Sequence, residues 1–169
     1  MTVNWNRQNF SGDDPEKHPV VEALRRVYGP AVLEIGTSCG EVWAVVPPDR
    51  AIELLTFLRD DPELRFDFLS DVTAVHWPER EGFEFDLVYQ LYSIGHRMRF
   101  RVKVSLPEGG SAATVCKVWR AADWLEREVY DMFGIRFEGH PDQRRILNPD
   151  GFEGHPLRKE FPVGGRVRW

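Results

Sequence analysis

Two carboxylates three residues apart, Glu128 and Asp131, are the first groups in this 169-residue chain whose types and spacing could do chemistry. Residues three apart on a helix are neighbours on one face. Such a pair can hold a metal ion or share a proton for general acid–base work. Arg127, Arg136, Arg144 and Arg145 lie close by in sequence. A nearby cation lowers a carboxyl pKa and removes general-acid competence near neutral pH, so ion-paired carboxylates are the expectation. His140 and His155 each precede a proline, in Gly-His-Pro triplets. Neither stands at the spacing of a HExxH zinc motif, so both are expected to be loop histidines rather than ligands. Cys39 and Cys116 form no CxxC pair and are too few for a zinc or iron–sulfur centre built by this chain alone. Reduced thiols are the expectation.

The element that carries the carboxylates reads as a helix running to about Phe133 and closed by Gly134. At about 100° per residue, Trp124, Arg127, Glu128 and Asp131 share one side, and Val129, Tyr130 and Phe133 much of the other, with Glu126 between. Large apolar groups mixed with charges nearly all round predict a helix buried on most sides, partly by something outside the chain. The segment after it, Gly139 to Trp169, contains Pro141, Pro149, Pro156 and Pro162 and several glycines, which forbid a long helix or a central strand. It keeps Ile146, Leu147, Phe152, Leu157, Phe161, Val163 and Trp169, which disorder would strip out. An extended arm lying on another surface, a partner's in preference to its own domain's, is the expectation.

Ahead of these elements the chain reads as a scaffold. Residues 1–18 are polar and aperiodic, a flexible lead-in. Val20, Val21, Leu24 and Val27 recur at helical spacing behind Pro19 and before Gly29-Pro30. Ala31–Ile35 and Val42–Val46 read as strands joined through Gly36–Gly40, and Asp49 is placed to cap a helix buried through Ile52, Leu55 and Leu58. Phe68–Trp77 reads as a third strand. Phe83, Phe85, Leu87, Tyr89 and Leu91, then Met98, Phe100, Val102 and Val104, alternate with polar residues and form a hairpin around Ser93–Arg97. Its outer face is expected to set Glu84 and Asp86 against Arg99, Arg101 and Lys103. The order predicts an α+β, two-layer fold, helices packed on one face of a mainly antiparallel or mixed sheet, with an extended C-terminal arm. The division is a globular domain over 1–138 and an arm over 139–169. Without parallel alternation or a GxGxxG, a nucleotide fold is not expected.

Charge narrows the partners. The formal net charge is −5, but from Gly139 onward six Lys and Arg face four acids, giving that segment +2 and residues 1–138 the remaining −7. That asymmetry suits an arm meeting an acidic neighbour and is far too weak for nucleic-acid binding. No apolar run approaches the roughly 20 residues that cross a bilayer, and Met1–Arg7 lacks a signal-peptide core. A soluble chain on the cytoplasmic side is expected.

One family resemblance covers the region from about Trp119 to Pro162. Glu126-Arg127-Glu128-Val129-Tyr130-Asp131-Met132-Phe133-Gly134-Ile135, then Phe137-Glu138-Gly139-His140-Pro141-Asp142-Gln143-Arg144-Arg145-Ile146-Leu147, resembles the signature of one family. That family is the C subunit of NADH–quinone oxidoreductase, the thirty-kilodalton component of respiratory complex I. Gly154-His155-Pro156-Leu157-Arg158-Lys159-Glu160-Phe161-Pro162 is similar to its next block. The resemblance implies a non-catalytic structural component of the peripheral arm of a proton-translocating enzyme. It implies no flavin, iron–sulfur cluster or quinone bound by this chain, with FMN and Fe–S clusters in neighbouring subunits.

The resemblance further implies that the C-terminal arm embraces the neighbouring D subunit of NADH–quinone oxidoreductase, next to other peripheral-arm subunits. Contact with the membrane is then only indirect, at the cytoplasmic face of the inner membrane. Glu126, Arg127, Glu128, Tyr130, Asp131 and Phe133 would then be contact and ion-pair residues. So would His140, Pro141, Arg144, Arg145, Ile146, Leu147, His155, Pro156, Leu157, Arg158 and Lys159. Related assemblies of the complex I type and membrane-bound hydrogenases share the module, which leaves the electron donor open. The alternative from the residues themselves is a free-standing hydrolase or metalloenzyme using Glu128, Asp131 and His140.

Overall fold

A computed structural model of the chain describes residues 15–29 and 32–164. Most of the predicted lead-in, the start of the first predicted strand at Ala31, and the last five residues of the predicted arm therefore lie outside the described residues. Pro15–Lys17 form a 3-10 turn, and His18 then caps the first helix by accepting the Val20 N–H on Nδ1 at 3.3 Å. That helix, α1 (Pro19–Tyr28), starts on the proline whose missing N–H costs nothing there. It buries Val20, Val21, Ala23 and Leu24, while Val27 is half exposed, so the buried stripe is shorter than its periodicity suggests.

Strands β1 (Glu34–Ser38) and β2 (Glu41–Val46) pair antiparallel from Glu34↔Val45 to Ser38↔Glu41. The predicted connection over Gly36–Gly40 shrinks to two residues, Cys39 and Gly40, both with positive φ. Two left-handed residues match the right-handed twist of the flanking strands. Gly36 pairs with Trp43 within the strand, where the indole occupies the space a Cβ would need.

Helix α2 (Pro48–Asp60) is entered through Pro47 with no side-chain cap, so Asp49 sits in the first turn instead of capping it. A carboxylate there still complements the helix dipole. Ala51, Leu54, Leu55 and Leu58 are its buried residues. Strands β3 (Phe68–His76), β4 (Phe85–Ser93) and β5 (Met98–Leu106) follow. The sheet order is β1-β2-β5-β4-β3, antiparallel except for the parallel β2–β5 pair. Its apolar face, with α1 and α2, forms one core around Phe66, Phe85, Tyr89 and Phe100.

The hairpin register differs from the expected charge pairing. The turn sets Ser93 opposite Met98, which places Asp86 opposite Ser105 and Gln90 opposite Arg101. Asp86 accepts from Ser105, Trp77 and Arg80. Arg99 and Arg101 reach Glu41 on β2, and Lys103 sits 3.9 Å from the Trp43 ring centre. The register fixed by the turn, two residues away from one that would set Asp86 opposite Lys103, decided those partners.

The last elements carry the family-like block. Strand β6 (Ser111–Ala113) pairs parallel with β7 (Arg136–Glu138). Between them α3 (Ala122–Phe133) packs against β3 and ends at Gly134, whose φ of 81° supplies the left-handed cap. Trp119, just before α3, donates its indole N–H to the Phe66 carbonyl at 3.0 Å. From Gly139 to Gly164 the chain has neither helix nor strand.

Candidate functional site

Helix α3 presents two fully buried carboxylates, Glu126 and Asp131, each 0% exposed. They are the centres of two separate hydrogen-bond hubs. Glu126 faces the β6 side. Its Oε1 accepts the Val115 N–H at 2.7 Å and its Oε2 accepts the Thr114 hydroxyl at 2.6 Å. The Cys116 thiol lies 3.6 Å from the same Oε2. Burial pushes the Glu126 pKa up, against the lowering effect of these donors. Glu126 is thus bound by a hydroxyl, an amide and a thiol. Thr114 and Cys116 carried no sequence signal, because the parallel β6–β7 pairing brings them to the helix from outside its own periodicity.

His140 completes this hub. Its side chain is fully enclosed, and Nε2 lies 3.1 Å from the Asp123 carbonyl and 3.9 Å from Glu126 Oε2. Its Nδ1 accepts the Asp142 N–H at 3.0 Å, so the proton of the neutral ring resides on Nε2 and donates to Asp123.

Among the described residues, Cys116, Glu126 and His140 are the group whose ligand-type atoms converge, all within 4.8 Å of one another. As zinc ligands, Cys116 and His140 would have to give up protons. Burial pushes the Cys116 thiol up to about 11, and the Asp142 N–H keeps the lone pair of His140 on the wrong nitrogen. In this arrangement the Cys116 thiol is turned to Glu126 and the His140 Nε2 proton to the Asp123 carbonyl. The alternative set of Glu128, Asp131 and His140 does not converge. Glu128 is exposed and Asp131 is occupied elsewhere.

Asp131 organises the arm. Its Oδ2 accepts three successive backbone N–H groups, from Ile146, Leu147 and Asn148, at 3.0, 2.8 and 2.8 Å. Its Oδ1 accepts Arg145 at 2.6 Å and the Asn148 side-chain amide at 2.9 Å. Burial alone would raise this carboxyl. The Asn148 amides, Arg145 and the Leu147 N–H outweigh it and hold the group well below the usual carboxylate range. Arg127 closes the same loop from the other side, donating to the carbonyls of Arg144 and Arg145 at 3.1 Å each. Arg144 itself pairs with Asp142 through two contacts of 2.7 Å.

The second histidine block docks at the C-terminal end of α3. His155 Nδ1 lies 3.0 Å from the Asp131 carbonyl, and burial with nearby Arg145 and Arg158 lowers its pKa. Its ring meets Tyr130 edge-on at 6.3 Å and occupies the space beside Gly134, where a Cβ would come within 2.6 Å of Nε2. Pro156 is half-buried, and the Leu157 N–H reaches the Met132 carbonyl. Arg158 donates to the Phe133 carbonyl at 2.6 Å and to Glu108 at 2.7 Å, and lies over the Phe85 ring. The Lys159 N–H donates to Nδ1 of His76, which is buried and stacked on Phe85 at 4.5 Å. His76 and Glu108 had no motif to mark them. Only the return of the arm to the sheet reveals them.

The expected outside cover for α3 is thus supplied in large part by the chain's own arm. That cover is incomplete. Trp124 and Leu147 are 63% and 62% exposed, and Pro141, Leu157 and Val163 also face outward.

Known proteins share this arrangement of sequence and fold. Residues 44–167 match the family described as respiratory-chain NADH dehydrogenase, 30 Kd subunit. A Rhizobium meliloti protein, named as a C subunit of NADH-quinone oxidoreductase, is 50% identical over 139 residues, 82% of this chain and 75% of that protein. The like-named protein of Methylobacterium radiotolerans is 48% identical over 148 residues, 88% of this chain and 68% of its own length.

Among solved structures, a trypsin-resistant fragment (1-134) of Nqo5 superposes with a TM-score of 0.63 at 34% identity, over 72% of this chain and 96% of the fragment. A chain of the membrane-bound sulfane sulfur reductase, an archaeal respiratory membrane complex, gives 0.71 at 27% identity, over 85% and 84%. The chain therefore belongs to the 30-kilodalton subunit family of respiratory-chain NADH dehydrogenase.

Proposed function

We propose that this chain is a non-catalytic structural component of the peripheral arm of a proton-translocating NADH–quinone oxidoreductase, docked on the D subunit through its C-terminal arm. FMN, Fe–S clusters and quinone belong to neighbouring subunits in this reading. The assembly sits at the cytoplasmic face of the inner membrane. No helix among the described residues is long and apolar enough to cross a membrane, which fits attachment through other subunits.

The observation that carries the reading is the fate of α3's buried carboxylates. Both take their donors from the chain itself, and Asp131, with five of them, is held as an anion that ties down the arm. A buried carboxylate spent on backbone N–H groups stabilises a shape, and a shape is what a structural component provides. The Nqo5 neighbour adds support, since a fragment named for resisting trypsin matches 72% of this chain. The likeness to a sulfane sulfur reductase chain suggests that the same module serves different electron carriers.

The test is direct. The purified chain, after exposure to FMN, zinc and iron with reductant and removal of excess, is assayed by absorbance and elemental analysis. Less than stoichiometric retention of each is expected. One equivalent of bound metal that is lost on Glu126→Gln would instead promote Cys116, Glu126 and His140 to a metal centre.

A further inference from the structure

Where β2 leaves the sheet and α2 begins, Leu33, Val45, Val46, Pro47, Pro48 and Phe83 line an open cleft of about 480 Å³. Two of them are left largely uncovered, with Leu33 63% and Phe83 53% exposed. Both are held in place. The Leu33 N–H donates to the Val45 carbonyl at 2.9 Å, and Arg80 ties the Phe83 carbonyl to Asp86. A concave apolar surface fixed in this way loses little freedom when something fills it, which is how a preorganised site gains affinity.

Glu34, Arg80 and Ser105 are the polar residues of the lining. Ser105 and Arg80 both donate to Asp86, so neither offers an open donor to a ligand. Residues 77–84 and the first turn of α2 border the cleft and add Asp49, Glu79, Glu81 and Glu84.

Charge indicates what the cleft fits. Glu34, Asp49, Glu79, Glu81, Glu84 and Asp86 stand against two bases, Arg80 and Lys103, which leaves −4. Arg80 is held by Asp86, and Lys103 sits on the Trp43 ring under the pull of Asp86 and Glu34. Arg50 is matched by Glu53, and Arg158 and Lys159, where the arm returns to β3, by Glu108 and Glu160. Among the described residues, exposed Asp49, Glu79 and Glu81 are paired with no cation. An acidic neighbour would be repelled here, and a wholly apolar one would strip water from unpaired carboxylates at a cost. A neighbour that brings cations meets neither penalty.

We propose that this cleft docks a basic segment of a neighbouring subunit, with one apolar side chain seated between Leu33 and Phe83 and its Lys or Arg residues facing Asp49, Glu79 and Glu81. None of the lining residues belongs to the arm, so this is a second attachment beside the arm's own. It rests on the reading of the chain as a subunit of a larger assembly.

A tagged full-length chain with photoreactive benzoylphenylalanine in place of Phe83 replaces the native copy in its own cells. The purified assembly is irradiated, and crosslinked peptides are read by mass spectrometry. A second chain adds Glu79→Lys and Glu81→Lys, both at exposed positions, so it should melt like the first. The expected crosslink is to one segment of another subunit in which Lys or Arg flanks an apolar residue. Its yield should fall on the order of tenfold with the two charge reversals. A crosslink to an acidic or uncharged segment, to a second copy, or to the chain's own residues 165–169 would overturn the basic partner. An undiminished yield after charge reversal would overturn the part given to the acidic rim. An intact assembly with no crosslink at position 83 would overturn the cleft as a docking site and leave the subunit role standing. Recovery of the chain alone would overturn the subunit role, and this inference with it.

Discussion

Asp131 shows at residue scale how a carboxylate that looks catalytic becomes structural. Five donors meet its two oxygens, and a group so stabilised as an anion cannot serve as a general acid near neutral pH. Asp131→Asn should therefore loosen the arm, because it removes the anion and turns an amide NH2 toward donors. Breaking a buried pair costs about 3–5 kcal/mol. Urea unfolding should show that loss, and trypsin should cut after Arg144 and Arg145 faster than in the wild type. Equal midpoints and equal cleavage rates would contradict the hub.

His18 gives a second residue-scale prediction, in pH. Burial holds its folded pKa down to about 4 from 6.5. The unfolded chain takes up this proton first, so stability falls as pH drops from 6.5 to about 4 and levels off below. His18→Asn keeps an N-cap side chain but removes the titration. Its stability, measured by denaturant midpoint, should depend less steeply on pH across that window than the wild type's; parallel profiles would refute the assignment.

At the scale of elements, the helix-to-strand corner at Gly134 is the tightest point in the candidate site. Its φ of 81° disfavours any side chain, and His155 fills the space beside it. Gly134→Ala should cost about 1–2 kcal/mol from backbone alone, lowering the melting temperature by roughly 3–6 °C, with further loss as His155 is pushed off the Asp131 carbonyl. An unchanged melting curve would show that the corner relaxes freely.

The elements were largely legible in the sequence, because period-two alternation and proline–glycine punctuation are local signals. Phe85, Leu87, Tyr89 and Leu91 do face the core as their alternation predicts, whereas Phe83, read into the same stripe, lies before β4 and is 53% exposed. Register was not legible. Asp86 finds Ser105 and Arg80, and Glu41 receives the arginines, through turn lengths and a parallel β2–β5 pairing that no local pattern encodes. The candidate site divides the same way. The blocks from Glu126 to Leu147 and from Gly154 to Pro162 stand out by residue type, whereas their partners, Thr114 and Cys116 for the first and His76 and Glu108 for the second, come from other elements.

At the scale of the whole molecule, a mixed sheet and two helices make a platform, and α3 with the arm makes a shaped edge. The family assignment points to a role within a larger assembly. The arm's apolar side chains, only partly covered by its own domain, say the same in physical terms. The most direct measurement is affinity purification of the tagged chain from its native cells under conditions that preserve large assemblies, with mass spectrometry and an NADH oxidation assay of what is recovered. The account predicts recovery of a flavin- and iron–sulfur-containing assembly that includes the D subunit and passes electrons from NADH to a quinone. Recovery of the chain alone, or with an assembly lacking those components, would contradict it.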